Sequence, residues 1–252
     1  MDLIQGIEGL GTIETKETDP VGIFDVQHRP SVVDSWPPGH HRAMENGGAQ
    51  EPGIPVQCTV WSTCPVDPVA LANSLGVIAV DVIDRARLHL LAEQGIRSSP
   101  PAWTTLVWAL PGTATPATTR SLGGSPIHDL LMERRTVWGD PDEDSAAGVL
   151  MVSLVARSLE IDHPTFATRY RNHAEIARRH HGFSAYRQNL VKHSPARPDP
   201  DAVSEILLAS EDDWRNRFYT ADDSADLVAG DVVRFLDRQA TKSTLVRRFR
   251  GN

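Results

Sequence analysis

The sequence predicts an α+β chain built from two βαββαβ units, and three observations carry that expectation. A helix between Asp162 and Gly182 has both of its ends written in the sequence. Short apolar runs flank it and read as strands. A fainter, ordered echo of the same succession lies in the N-terminal half.

The C-terminal half comes first because its elements are clearest. Val149 to Ala156 is a continuous apolar run of strand length. In the helix that follows, Asp162 is a candidate N-cap, Pro164 suits the first turn, Arg178 and Arg179 favour the negative end, and Gly182 stops it. At about 100° per residue, Phe166, Tyr170, His173, Ala177 and His180 share one stripe, so the His173 imidazole is expected to face inward. Phe183 to Val191 alternates Tyr186 and Leu190 on one face with Phe183, Ala185 and Val191 on the other, a strand with apolar residues on both sides. Pro195 to Asp201 is a loop, and Val203 to Ala209 is the third strand. Ser210 with Glu211 to Asp213 opens a helix containing Trp214 and Phe218. A further helix is expected over Asp223 to Arg238, with Leu227, Asp231, Val232 and Phe235 on related turns. Leu245 to Phe249 is the fourth strand. The order βαββαβ is the ferredoxin-like arrangement.

A four-stranded sheet with its helices on one face must cover the other face, and a second copy in the same chain does so. Val56 to Ser62 is matched with Val203 to Ala209, and Asp67-Pro68 begins a helix after it. Asp81-Val82-Ile83 is matched with Asp231-Val232-Val233, and Thr105-Leu106-Val107 with Thr244-Leu245-Val246. Pro30, Pro37 and Pro38 interrupt the counterpart of the first helix, where His40 and His41 lie. The expected organisation is a degenerate unit over 1–112, a connector over 113–145 with a short helix at Ile127 to Arg135, and the clearer unit over 146–252.

Charge divides along the same line. Residues 1–145 hold 9 basic and 19 acidic side chains, whereas residues 146–252 hold 16 and 14. Without concentrated Lys and Arg a nucleic-acid surface is not expected. No apolar run approaches the roughly 20 residues of a membrane span, and the acidic start lacks the basic region of a signal peptide, so the default expectation is cytoplasmic. Cys58 and Cys64 are too few for a disulfide framework and read as structural thiols. His180 and His181 diverge by about 100° on a helix, which disfavours a shared metal ion. Dinucleotide, Walker and Gly-x-Ser-x-Gly signatures are missing, as is a Cys-x-x-Cys-His haem attachment.

Arg169-Tyr170-Arg171-Asn172-His173, the Gly182 to Asn189 run ending in Tyr-Arg-Gln-Asn, Val203-Ser-Glu205 and the Asp231 to Asp237 stretch together resemble the EthD family of the dimeric α/β-barrel superfamily. The resemblance covers about residues 149–250. It implies a ferredoxin-like unit whose sheet faces a second unit, with a ligand cavity between sheet and covering helices. The whole chain would then be a pseudo-dimeric α/β barrel, with pairing of two chains into a homodimer left open.

On that frame, His173 is the candidate base and Tyr170 its neighbour and candidate oxygen donor. Tyr186, Asn189, Glu205, Phe166 and Trp214 are candidate substrate-binding residues. The expected activity is cofactor-independent proton transfer, as in a lyase or dehydratase, cyclase or isomerase, on an apolar cyclic or polyketide-like carbonyl compound. The alternatives are a non-catalytic protein that binds a hydrophobic small molecule, and an EthD-like oxidoreductase of a degradation pathway. No metal or cofactor enters the leading reading. Against it stands the plainer one, in which His173 and both tyrosines are hydrogen-bonded core residues.

Overall fold

A computed structural model describes residues 53–96, 103–113, 115–142, 148–193 and 199–251. His40, His41 and the prolines before them lie outside the described residues. Among the described residues are eight strands: β1 (Ile54–Trp61), β2 (Val77–Ile83), β3 (Thr105–Ala109), β4 (His128–Trp138), β5 (Val149–Val155), β6 (Ala185–Val191), β7 (Ala202–Leu208) and β8 (Lys242–Phe249). Six helices accompany them: α1 (Pro68–Ala72), α2 (His89–Glu93), α3 (Thr115–Leu122), α4 (His163–His180), α5 (Glu211–Arg217) and α6 (Ser224–Val232).

The strands close into one antiparallel barrel in the order β1-β3-β2-β8-β5-β7-β6-β4. Within β1–β4 and within β5–β8 the neighbours follow the same order, fourth, first, third, second. The two runs meet at β2–β8 and at β4–β6. Alternation along each strand separates two layers. Cys58, Val60, Trp108, Met132, Val152 and Leu207 belong to the cluster that fills the barrel. The outward residues pack on helices, as Leu190 does with Phe166, Tyr170 and Phe235, or Leu208 with Trp214 and Phe218.

The caps fix α4 as the sequence expects. The Asp162 carboxylate accepts from the Thr165 amide at 2.8 Å. At the other end a Cβ on Gly182 would lie 2.3 Å from the Arg217 carbonyl oxygen, so only glycine allows that close approach. Ser210 caps α5 in the same way, accepting from the Asp213 amide at 3.0 Å.

Several expectations are corrected. Ile127 to Arg135 is not a helix; His128–Trp138 is β4, with Leu130 and Met132 buried inward while Leu131 is exposed. The stretch 113–145 therefore carries α3 and a strand that closes the barrel. The matched repeat segments occupy different places in the two runs. Val56 to Trp61 lies on the first strand of its run and Val203 to Leu208 on the third. Asp81 to Ile83 ends a strand while Asp231 and Val232 end a helix. A strand buried on both faces looks alike in sequence wherever it sits, so the matched segments fall at different positions of the two runs. The last helix stops at Val232 rather than Arg238, and the fourth strand of its run begins at Lys242.

Candidate functional site

The two layers decide which candidate residues meet. On β6, Arg187 and Asn189 point into the barrel, and Tyr186, Gln188 and Leu190 point towards α4. Glu205 on β7 also points inward. Asn189 and Glu205 are thus separated by the sheet from Tyr170, Tyr186 and Phe166. Trp214 lies elsewhere again, its indole N–H donating to the Leu90 carbonyl at 2.8 Å between α5 and α2.

His173 does not face the sheet. About 60° around the helix from Tyr170, it occupies the seam between α4 and α6. There its Nδ1 lies 2.8 Å from the Asp231 carboxylate, and its ring centroid is 5.5 Å from that of Phe235. The carboxylate only accepts, so Nδ1 carries the proton and Nε2 is the free lone pair. Burial pulls the His173 pKa down, while the bond to and charge of Asp231 oppose it. The sequence had placed Asp231 and Phe235 on related turns, but their meeting with His173 depends on helix packing.

The polar side chains that do converge lie under α4. The Gln188 amide donates to the Tyr170 backbone carbonyl at 2.6 Å and to the Tyr186 hydroxyl at 3.0 Å. Arg135 on β4 is the register partner of Gln188, and its charge is felt at Tyr186. Phe166 stacks on the Tyr170 ring at 5.3 Å. Burial pushes the Tyr186 hydroxyl up to about 12 and the Tyr170 hydroxyl well above its ordinary value, so both are neutral near pH 7. Around Tyr186, three buried atoms lack a hydrogen-bond partner: Tyr170 Oη, Gln188 Oε1 and Arg135 Nη1. The Tyr170 hydroxyl lies beside Ser204 and Tyr186 without reaching full hydrogen-bond geometry. Each such atom costs about 1–3 kcal/mol unless something answers it.

Arg135 also lines a groove of about 400 Å³ that opens to solvent between β4 and α4. Val137 continues its β4 wall, and Arg171, Asn172, Ala174, Glu175 and Arg178 form the α4 wall. Arg178 donates to the Val137 carbonyl at 2.9 Å and lies 4.9 Å from the centre of the Trp138 ring. Arg171 is 3.5 Å from Glu133, and Glu175 accepts from Arg179 at 2.9 Å. Four of these seven lining residues are charged, Arg135, Arg171, Glu175 and Arg178. His173 is not part of this lining.

Inside the barrel lies a different arrangement. Arg248 makes a two-pronged contact with Asp81, at 2.8 and 2.7 Å, and reaches Glu205 at 2.7 Å and Asp142 at 2.7 Å. Arg187 bonds Glu205 and Asp142, each at 3.1 Å. Asn189 donates to Glu205 at 2.8 Å and accepts from Arg134 at 2.9 Å. Burial raises the Glu205 pKa, but the nearby arginines outweigh it and hold the carboxyl down at about 2. Burial and the charges of Asp81 and Glu205 push the Cys58 thiol up, which keeps it protonated. These charges answer one another, so the network reads as a clamp between the halves of the barrel. Among the described residues, no group of three or more His, Cys, Asp or Glu side chains is placed to hold a metal ion.

No family model and no curated protein matches the chain. Two solved structures are similar in shape. One, named "Putative monooxygenase", is from Fusobacterium nucleatum subsp. nucleatum ATCC 25586; it is 9% identical, with a TM-score of 0.44 over 79% of this chain and 94% of that one. The other is an anthrone oxidase-like protein, 10% identical, with a TM-score of 0.45 over 77% of this chain and 90% of that one.

Sequence reasoning missed Gln188 and Arg135. Gln188 was within reach, since strand alternation sets it on the face of Tyr186 and Leu190. Arg135 was hidden because its segment reads as a helix.

Proposed function

We propose that this protein is a small-molecule-binding α/β barrel that takes a cyclic carbonyl compound into the β4–α4 groove and transfers a proton at the carbon beside the carbonyl. The observation that carries the reading is the open groove of about 400 Å³ between β4 and α4, in which Arg135, Arg171 and Arg178 stand with the Glu175 carboxylate. We read each run of four strands as a ferredoxin-like unit, so the barrel is a pseudo-dimer and the groove lies where α4 of the second unit meets β4 of the first.

The step follows from the residues that line the site. Arg135, which can only donate, steadies the oxygen that gains charge. Glu175 is the carboxylate of the groove lining and takes the proton as the C–H bond breaks and its electron pair moves toward the oxygen. His173 contributes from outside, as a positioning residue that ties α4 to α6. The flat faces of Arg171 and Arg178 suit a ring.

The test is hydrogen–deuterium exchange at the methyl group of 2-acetonaphthone, followed by NMR. The protein should accelerate it, Glu175→Gln should lose the acceleration, and Arg135→Met should reduce it at least about tenfold. The exposure of Glu175 and its bond to Arg179 favour a second reading, a binder without turnover. Binding of the ketone without any exchange would establish that one. No binding at all would defeat both.

A further inference from the structure

We propose that the ring compound taken by the β4–α4 groove is a keto acid, whose carboxylate is held by Arg178 while its ketone oxygen faces Arg135. The inference rests on the groove reading above and goes beyond it by naming the substrate class. It follows from the charges on the groove walls and from what already answers each of them.

Two of those charges are matched within the protein. Glu133 stands 3.5 Å from Arg171, and the Glu175 carboxylate accepts from Arg179 at 2.9 Å. Among the described residues, no carboxylate pairs with Arg135 or with Arg178. Arg135 Nη1 is without a hydrogen-bond partner. Arg178 uses one N–H on the Val137 carbonyl at 2.9 Å and lies 4.9 Å from the centre of the Trp138 ring, which leaves its charge and most of its donors unanswered. Two positive charges therefore line a single groove of about 400 Å³ with nothing opposite them.

The same contacts set the spacing. Arg171 meets Glu133 and Arg178 meets Val137, so α4 and β4 run side by side in the same direction, with Arg135 between the two contacts. Arg135 and Val137 are two strand residues apart, about 7 Å. A ketone oxygen at Arg135 and an anion at Arg178 are thus separated by about the length of a ring system substituted at both ends. A guanidinium presents paired donors that match a carboxylate, and its hydrogen bonds to an ionised group are the stronger kind. A simple ketone answers only one of the two unmatched charges. A keto acid answers both, and the one carboxylate in the lining, Glu175, is offset by Arg179.

Isothermal titration of the intact chain with 6-acetyl-2-naphthoate, its methyl ester and 2-acetonaphthone tests this. The acid should bind about tenfold more tightly than the ester or the ketone at low salt. That advantage should shrink to about twofold in about 1 M sodium chloride, where the Debye length is about 3 Å. In Arg178→Met, with near-UV circular dichroism confirming the fold, the acid-to-ester ratio should fall close to one; should the variant not fold, the salt series on the wild-type protein decides. Equal binding of acid and ester by the wild-type protein overturns the inference, as does an acid preference that salt leaves unchanged or that survives in the folded variant. In each of those cases binding of the ketone leaves the groove reading standing. If none of the three binds, the groove reading fails and this inference with it.

Discussion

Replacing Glu205 by Gln perturbs the barrel clamp at its most buried carboxylate. Glu205 is fully buried and receives Arg248 at 2.7 Å, Arg187 at 3.1 Å, Arg134 at 3.5 Å and Asn189 at 2.8 Å. Its pKa falls from an ordinary 4.5 to about 2. That difference corresponds to about 3 kcal/mol of folding free energy, in line with the roughly 3–5 kcal/mol lost when one partner of a buried ion pair is removed. Because the folded value is depressed, the contribution is complete above pH 4.5 and fades as pH falls toward 2. Glu205→Gln should therefore lose about 3 kcal/mol at pH 7, a shift of roughly 1 M in the urea midpoint. The gap between variant and wild type should close between pH 4.5 and 2, as the wild-type carboxyl takes up its own proton. Equal stability at pH 7, or a gap that does not change with pH, would refute the reasoning.

Three further outcomes follow from the packing. His181 is stacked between Phe183 and Tyr219, and burial lowers its pKa to about 4; its contribution is full above pH 6.5 and lost as pH falls toward 4, so His181→Phe should flatten the stability profile in that window. Asp231→Asn should cost about 1 kcal/mol in denaturant unfolding by weakening the bond that joins α6 to His173, while naphthyl probe affinity stays within twofold; a tenfold loss would mean that the seam and the groove act together. Gly139 has φ +57°, and a Cβ there would lie 2.3 Å from the Ser184 carbonyl oxygen. Gly139→Ala should then cost about 2 kcal/mol or more in thermal or urea unfolding.

Much of the second half of the barrel was legible in the sequence because its signals are local. Asp162 and Gly182 mark the ends of α4, Ser210 caps α5, and the runs after Val149, Phe183 and Val203 are strands. The first half was harder to read. The charged residues Asp129, Glu133, Arg134 and Arg135 mask the alternation of Leu130 and Met132, so β4 resembles a polar helix. The faces of β6 and β7 were open for a different reason: both sides are buried, one against helices and the other against the opposite half of the barrel. Asn189 and Glu205 looked like neighbours of Tyr186 because spacing alone does not reveal that the sheet divides them. The helix stripe was similarly too wide. Phe166, Tyr170 and Ala177 are buried beneath α4, and His173 is turned to the flank that meets α6.

The most direct measurement is amide and side-chain NMR mapping of 2-acetonaphthone on the intact protein, with the Arg135 and Arg171 guanidinium resonances assigned. The account predicts saturable shifts at Arg135, Arg171, Asn172 and Glu175, which line the groove, leaving the barrel interior around Glu205 unmoved. Shifts centred on Glu205 and Arg187, or on His173 and Asp231, would place the guest elsewhere and contradict it.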